Sequence, residues 1–123
     1  MSMATIIVLS DPGGGEEALG RVFNALAAAY DFKHQHRPVQ LVFQGTGTRW
    51  VSVLEGPDHP MHALYKSVED TVRGASAGCA TAFGVRADVE REGIRLIADS
   101  AVPGTVGLPS LVQYLSEGPV LTF

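Results

Sequence analysis

Short apolar runs alternate with segments of helical spacing along the whole chain, and that alternation leaves few folds open. Ala4 to Leu9 reads Ala-Thr-Ile-Ile-Val-Leu, the β-branched run expected of a strand buried on both faces. Ser10-Asp11-Pro12-Gly13-Gly14-Gly15 breaks it as a loop. From Glu16 to about Tyr30, apolar residues at Leu19, Val22, Phe23, Leu26 and Tyr30 form a helical stripe. Glu16 and Glu17 stand in its first turn, where the helix dipole favours carboxylates. Val39 to Phe43 is a second strand, and Arg49 to Leu54 a short helix stopped by Gly56-Pro57. A helix starting near Pro60 carries Met61, Leu64, Tyr65, Val68 and Val72. A weak strand over Arg73 to Gly78 follows, then a turn or two of helix at Ala80 to Phe83 and another at Asp88 to Glu92. Ile94 to Ala98 is a fourth strand, Leu108 to Leu115 a last helix, and Val120 to Phe123 a fifth strand.

This β-α repeat predicts one α/β domain over residues 1–123, with a mainly parallel five-stranded sheet covered by helices on both sides. In such sheets chemistry gathers beyond the carboxyl ends of the strands. The residues to question are Ser10 and Asp11, then Gln44 to Arg49, then Cys79, then Asp99 to Thr105.

Composition narrows the function classes. Nine Lys and Arg against 13 Asp and Glu give a net charge of −4 with no run of one sign, so no basic face invites nucleic acid. Apolar residues make up 46% and charged residues 18%, enough to fold without a metal or disulfide. The one cysteine excludes a disulfide within the chain and a multi-cysteine zinc site, and a lone thiol suits a reducing cytoplasm. No basic n-region opens the sequence and no apolar stretch approaches the ~20 residues that span a bilayer, so neither export nor a membrane partner is expected.

Cys79 is the sharpest candidate. It stands where a strand gives way to a helix, after Gly78, which leaves room for approach. Amides at a helix N-terminus, here those of Ala80 and Thr81, stabilise a thiolate, and a thiolate can take sulfur from a donor and pass it on. The competing reading is a small hydrophobe in the core, the commonest fate of a free cysteine. With no second cysteine, any sulfur chemistry must be completed by a partner molecule. Gln44-Gly45-Thr46-Gly47-Thr48-Arg49-Trp50 follows the second strand; Gln44 and Thr46 can line a cleft and Arg49 can hold an anionic sulfur species there. The alternative is a surface loop, with Trp50 packed on the first helix or in a subunit contact.

Three further features read as structural. The glycines at 13–15 lack both a Walker lysine and the spaced dinucleotide fingerprint, and Glu16 and Glu17 repel anions, so a turn is expected and no cofactor. His59 and His62 lie three apart without a third ligand, and His34 and His36 flank a polar turn, so no metal site is expected; His59 reads as a helix-end residue and His62 as solvated. Gly104 to Ser110 is a loop running into a helix, with Thr105 or Ser110 as the cap and a wall of a cleft near Cys79 as the second reading.

The order of these pieces resembles the DsrE/DsrF-like family, related to bacterial and archaeal sulfur relays, over nearly all of the chain. The likeness rests on Ile6-Ile7-Val8-Leu9-Ser10, the helix Glu16 to Tyr30, Gly78-Cys79-Ala80-Thr81-Ala82-Phe83-Gly84 and Gly118-Pro119-Val120-Leu121-Thr122-Phe123. It implies a three-layer α/β/α sandwich, flavodoxin-like in appearance, built into trimers or hexamers. It also implies that Cys79 carries a persulfide between donor and acceptor proteins, although some members lack the cysteine and serve as structural partners. The expectation is therefore a cytoplasmic homo-oligomer relaying sulfane sulfur on Cys79. The alternatives are a non-enzymatic oligomeric binding module with Cys79 as packing, and a flavodoxin-like nucleotide-binding domain. The Trp50 region and the apolar C-terminus ending in Phe123 are the expected contact surfaces.

Overall fold

The structure, a computed structural model, describes residues 2–123. Five strands form one sheet in the order β4-β3-β2-β1-β5: β1 (Ala4–Val8), β2 (Val39–Phe43), β3 (Val72–Ser76), β4 (Leu96–Ile97) and β5 (Val120–Thr122). Every pairing is parallel, with Ile6 opposite Leu41 and Leu121. The six α-helices are α1 (Gly15–His34), α2 (Trp50–Glu55), α3 (His62–Val68), α4 (Ala77–Ala82), α5 (Arg86–Arg91) and α6 (Leu111–Glu117). A 3-10 turn at Gly45–Arg49 precedes α2, and another at Glu69–Thr71 leads into β3.

The strand order decides where the helices lie. From β1 to β4 each connection steps the same way across the sheet, so right-handed crossovers place their helices on one face. Only the return from β4 to β5 runs the other way, and it carries α6 to the opposite face. Two cores result. Ile6, Val8, Leu41, Phe43 and Ala75 face Val22 and Leu26 of α1, Trp50 and Leu54 of α2, Tyr65 of α3 and Val89 of α5. Ile7, Val42 and Ile97 face Tyr114 of α6, with Val120 beside them. The α/β/α sandwich is therefore lopsided, one of its outer layers being the single seven-residue α6.

Several boundaries differ from the sequence reading. The buried side of α1 is Ala18, Val22, Ala25, Leu26 and Ala29, so Phe23 and Tyr30 turn outward at 50% and 40% exposure. Small residues let α1 lie close to the sheet, and the larger apolar pair is left on the outer side. The strand expected over Arg73 to Gly78 ends at Ser76, because Ala77 and Gly78 already belong to α4. Trp50 is 2% exposed, and its Nε1 donates to the Ser10 carbonyl at 2.8 Å, so it anchors the β1 loop and offers no contact surface. Phe123 packs partly against the larger core, while Leu121 before it is 40% exposed.

Candidate functional site

Because the strands are parallel, their carboxyl ends share one edge of the sheet. The loop after β1, the 3-10 turn after β2 and helix α4 after β3 meet there. The 3-10 turn packs against the end of β1 because residue 47 is glycine; a Cβ at Gly47 would sit 2.2 Å from the Val8 carbonyl oxygen. Gln44 enters the turn with its backbone N–H donated to the Val8 carbonyl at 2.9 Å. Thr46 Oγ1 reaches the Leu9 carbonyl at 3.5 Å, the limit of a hydrogen bond.

Helix α4 starts on a polar cap. Ser76, fully buried, accepts the backbone N–H of Cys79 on its hydroxyl oxygen at 3.2 Å. Ala77 and Ala80 face the core, and Thr81, Ala82 and Phe83 are exposed. Cys79 is a free thiol, half-buried and in the first turn. It therefore lies inside the helix, not in the junction before it. The helix N-terminus is also less open than the sequence suggested. The Gly78 N–H donates to the Gly107 carbonyl at 2.7 Å, and a Cβ at Gly78 would lie 2.9 Å from that oxygen. Gly78 thus makes room for the 104–108 loop rather than for a molecule approaching the thiol. The Ala80 and Thr81 amides belong to the i→i−4 ladder, whose geometry aims them along the helix axis at carbonyls.

Arg49 is brought to this helix. Its guanidinium lies over the Phe83 ring, 5.6 Å from the centroid. Its Nη1 donates to Asp11 Oδ2 at 2.8 Å, with the Arg49 side chain 41% and the Asp11 side chain 34% exposed. Phe83 is four residues after Cys79, so the two share a face of the short helix and its C-terminal cap. Asp11 is itself fixed, because its Oδ1 accepts the Gly13 N–H at 2.8 Å. Sequence reasoning put Arg49 at the same sheet edge as Cys79 and did not anticipate Asp11 as its partner. The available signal was an acid immediately beyond the first strand, at the same sheet edge as Arg49.

A second face of α4 borders a cleft of about 400 Å³, lined by Gly78, Thr81, Ala82, Gly104, Thr105 and Val106. Its far wall is the loop closed by paired backbone hydrogen bonds between Ser100 and Leu108, at 2.7 and 3.0 Å. The Thr81 hydroxyl accepts from Arg86 Nη1 at 3.3 Å, and the Thr105 hydroxyl donates to the Val102 carbonyl at 2.7 Å. Of the two cap candidates for α6, Ser110 takes the place, accepting the Gln113 N–H at 3.3 Å.

His59 and His62 are engaged locally. His62 is partly buried with Nδ1 2.8 Å from the Leu54 carbonyl, so it is not simply solvated. His59 Nδ1 accepts the Met61 N–H at 3.1 Å. Among the described residues no group of three or more His, Cys, Asp or Glu side chains is placed to hold a metal ion. No described helix is long and apolar enough to cross a membrane.

No protein-family model matches the chain, and no curated protein sequence does. Solved structures do. BT1422, a conserved protein of unknown function from Bacteroides thetaiotaomicron, superposes with a TM-score of 0.63 at 16% identity, covering 98% of this chain and 94% of its own. The YchN protein from E. coli superposes with a TM-score of 0.58 at 18% identity, covering 100% of each chain. At these identities the likeness establishes architecture alone: the chain shares the parallel α/β sandwich of these two structures.

Proposed function

We propose that the chain is a DsrE/F-like protein that carries sulfane sulfur as a persulfide on Cys79, working as a homo-oligomer, a trimer or hexamer, in the cytoplasm. One observation carries this reading. The chain's one thiol lies half-exposed at the carboxyl ends of the strands, beside the turn that holds Arg49, and in neither core. In the reaction, the Cys79 thiolate attacks the outer sulfur of a donor. A sulfur–sulfur bond forms at Sγ, the donor's own bond to that sulfur breaks, and the electron pair leaves with the donor as a thiolate or as sulfite. An acceptor thiolate then attacks the outer sulfur and returns Cys79 to a thiolate, with no net oxidation. Gln44, Thr46 and Arg49 form the wall that orients the donor, and α4 through Ala80 and Thr81 holds Cys79 in place. Titration of the native protein with a thiol reagent tests the reading. A thiol that reacts before the protein unfolds supports it, and one that reacts only on unfolding overturns it.

One observation favours the second reading, a non-enzymatic assembly module. Helix α6 exposes Leu111, Val112 and Leu115 at 53%, 75% and 59%, an apolar face that water disfavours and a partner would cover. A cysteine silent in the titration, in a protein that is oligomeric by light scattering, selects this alternative.

A further inference from the structure

The pairing of Arg49 with Asp11 bears on which donor reaches Cys79, provided that Cys79 is the reacting group as proposed above. A guanidinium has five N–H donors in a rigid fork. Here it lies over the Phe83 ring, 5.6 Å from the centroid, and its side-chain partner is one oxygen of Asp11. The pair is open to solvent, with the arginine side chain 41% exposed. The Asp11 carboxylate takes one N–H of the fork, the place where a small oxyanion would bind. Asp11 is restrained in turn by the Gly13 N–H on its other oxygen.

We infer that Arg49, held between Phe83 and Asp11, is an anion seat that Asp11 occupies at rest, so that the donor reaching Cys79 is a small anion displacing the Asp11 carboxylate. Asp11 is then a specificity-determining residue: it masks the positive charge from weakly bound anions and yields to a donor that pairs with the guanidinium through two oxygens. Thiosulfate belongs to that chemical class. Its outer sulfur transfers to Sγ while its inner sulfur departs with the bonding pair as sulfite. A bulky protein persulfide lacks the oxyanion that the seat recognises.

Two alkylating probes of nearly equal size test this without any sulfur donor: iodoacetate, which is anionic, and iodoacetamide, which is neutral. The ratio of their second-order rates with Cys79 in the native protein reports charge selection. Any change in thiolate fraction affects both rates alike and cancels. Asp11→Asn keeps an acceptor for Gly13 and removes the competing charge, and it should raise the ratio roughly fivefold at low salt. Arg49→Gln should lower the ratio by a similar factor, and Arg49→Lys, which keeps the charge, should hold it near wild type. A ratio unmoved by both Asp11→Asn and Arg49→Gln, in variants that unfold at the wild-type urea midpoint, overturns the inference. Wild-type protein that takes up thiosulfate sulfur with an unmoved ratio sinks the seat alone. A ratio that shifts as expected, without sulfur loading from any donor, upholds the seat and sinks the relay.

Discussion

The hydroxyl oxygen of Ser76, the last residue of β3, accepts the backbone N–H of Cys79 at 3.2 Å, so the start of α4 and the position of the thiol are set by one buried side chain. Ser76→Ala removes that cap. The variant should lose about 1 kcal/mol of stability, read as a lower urea midpoint with an unchanged slope. It should also change the alkylation rate of Cys79, because the first turn of α4 loosens around it. An unchanged midpoint together with an unchanged rate contradicts this role.

Gly78 is the contact between α4 and the loop that walls the cleft. Its N–H meets the Gly107 carbonyl at 2.7 Å, and an added Cβ would press on the same oxygen from 2.9 Å. Gly78→Ala should cost about 1–3 kcal/mol, because a backbone oxygen must move and no flexible side chain can give way. Full wild-type stability in this variant would show that the loop is free to shift and that the cleft is not a fixed feature.

Trp50 is the chain's only tryptophan and is 2% exposed. Native fluorescence should therefore be blue-shifted and should move to the red on unfolding. Trp50→Phe removes the donor to the Ser10 carbonyl and should destabilise by about 1–3 kcal/mol, with the loop carrying Asp11 loosened as well. Emission typical of a water-exposed indole in the folded protein contradicts the packing described.

A cluster away from the candidate site should set part of the pH dependence of stability. Lys66 Nζ lies 2.7 Å from Glu55 and 3.0 Å from Glu69, with the buried Tyr65 hydroxyl close by. Desolvation, and then the hydrogen bond shared with Glu69, hold the Glu55 carboxyl above its ordinary value, while the same hydrogen bond and Lys66 hold Glu69 below its own. The signs oppose. Stability from Glu55 is fully present below its unfolded value and is lost as pH rises through its folded value. Stability from Glu69 is present above its unfolded value and is lost as pH falls through its folded value. Glu55→Gln mimics the protonated acid and removes the first dependence. Its urea midpoint should gain on wild type as pH rises from about 4 to 7, across the carboxylate range. A gap that narrows or stays constant over that interval contradicts the assignment.

Period and punctuation gave the sheet almost whole. The continuous run at Ala4 to Val8 and the matching run at Val39 to Phe43 are strands buried on both faces, and such strands need no context to be read. Helix α1 was equally clear as a helix, but its buried side was not. A stripe containing Phe23 competes with one containing Ala25 and Ala29, and only the distance between helix and sheet decides that small residues go inward. The start of α4 was hidden for a related reason. Ala77 and Gly78 carry no strand or helix signal of their own, and the Ser76 cap looks like an ordinary small strand residue. The candidate site was half visible. Cys79 and Arg49 stood out by chemistry and by position after strands. The Asp11 pairing spans 38 positions, and no local pattern encodes it. The lopsided third layer also follows from strand order, a long-range property.

If Cys79 carries transferable sulfur, the added atom can be weighed. The decisive experiment is intact-mass measurement of the native protein after incubation with thiosulfate, or with a desulfurase and cysteine. The expected result is one added sulfur atom per chain with thiosulfate, absent in Cys79→Ser and removed when a thiol acceptor is supplied. A wild-type mass unchanged with every donor, or the same sulfur found on Cys79→Ser, contradicts sulfur carriage by this thiol.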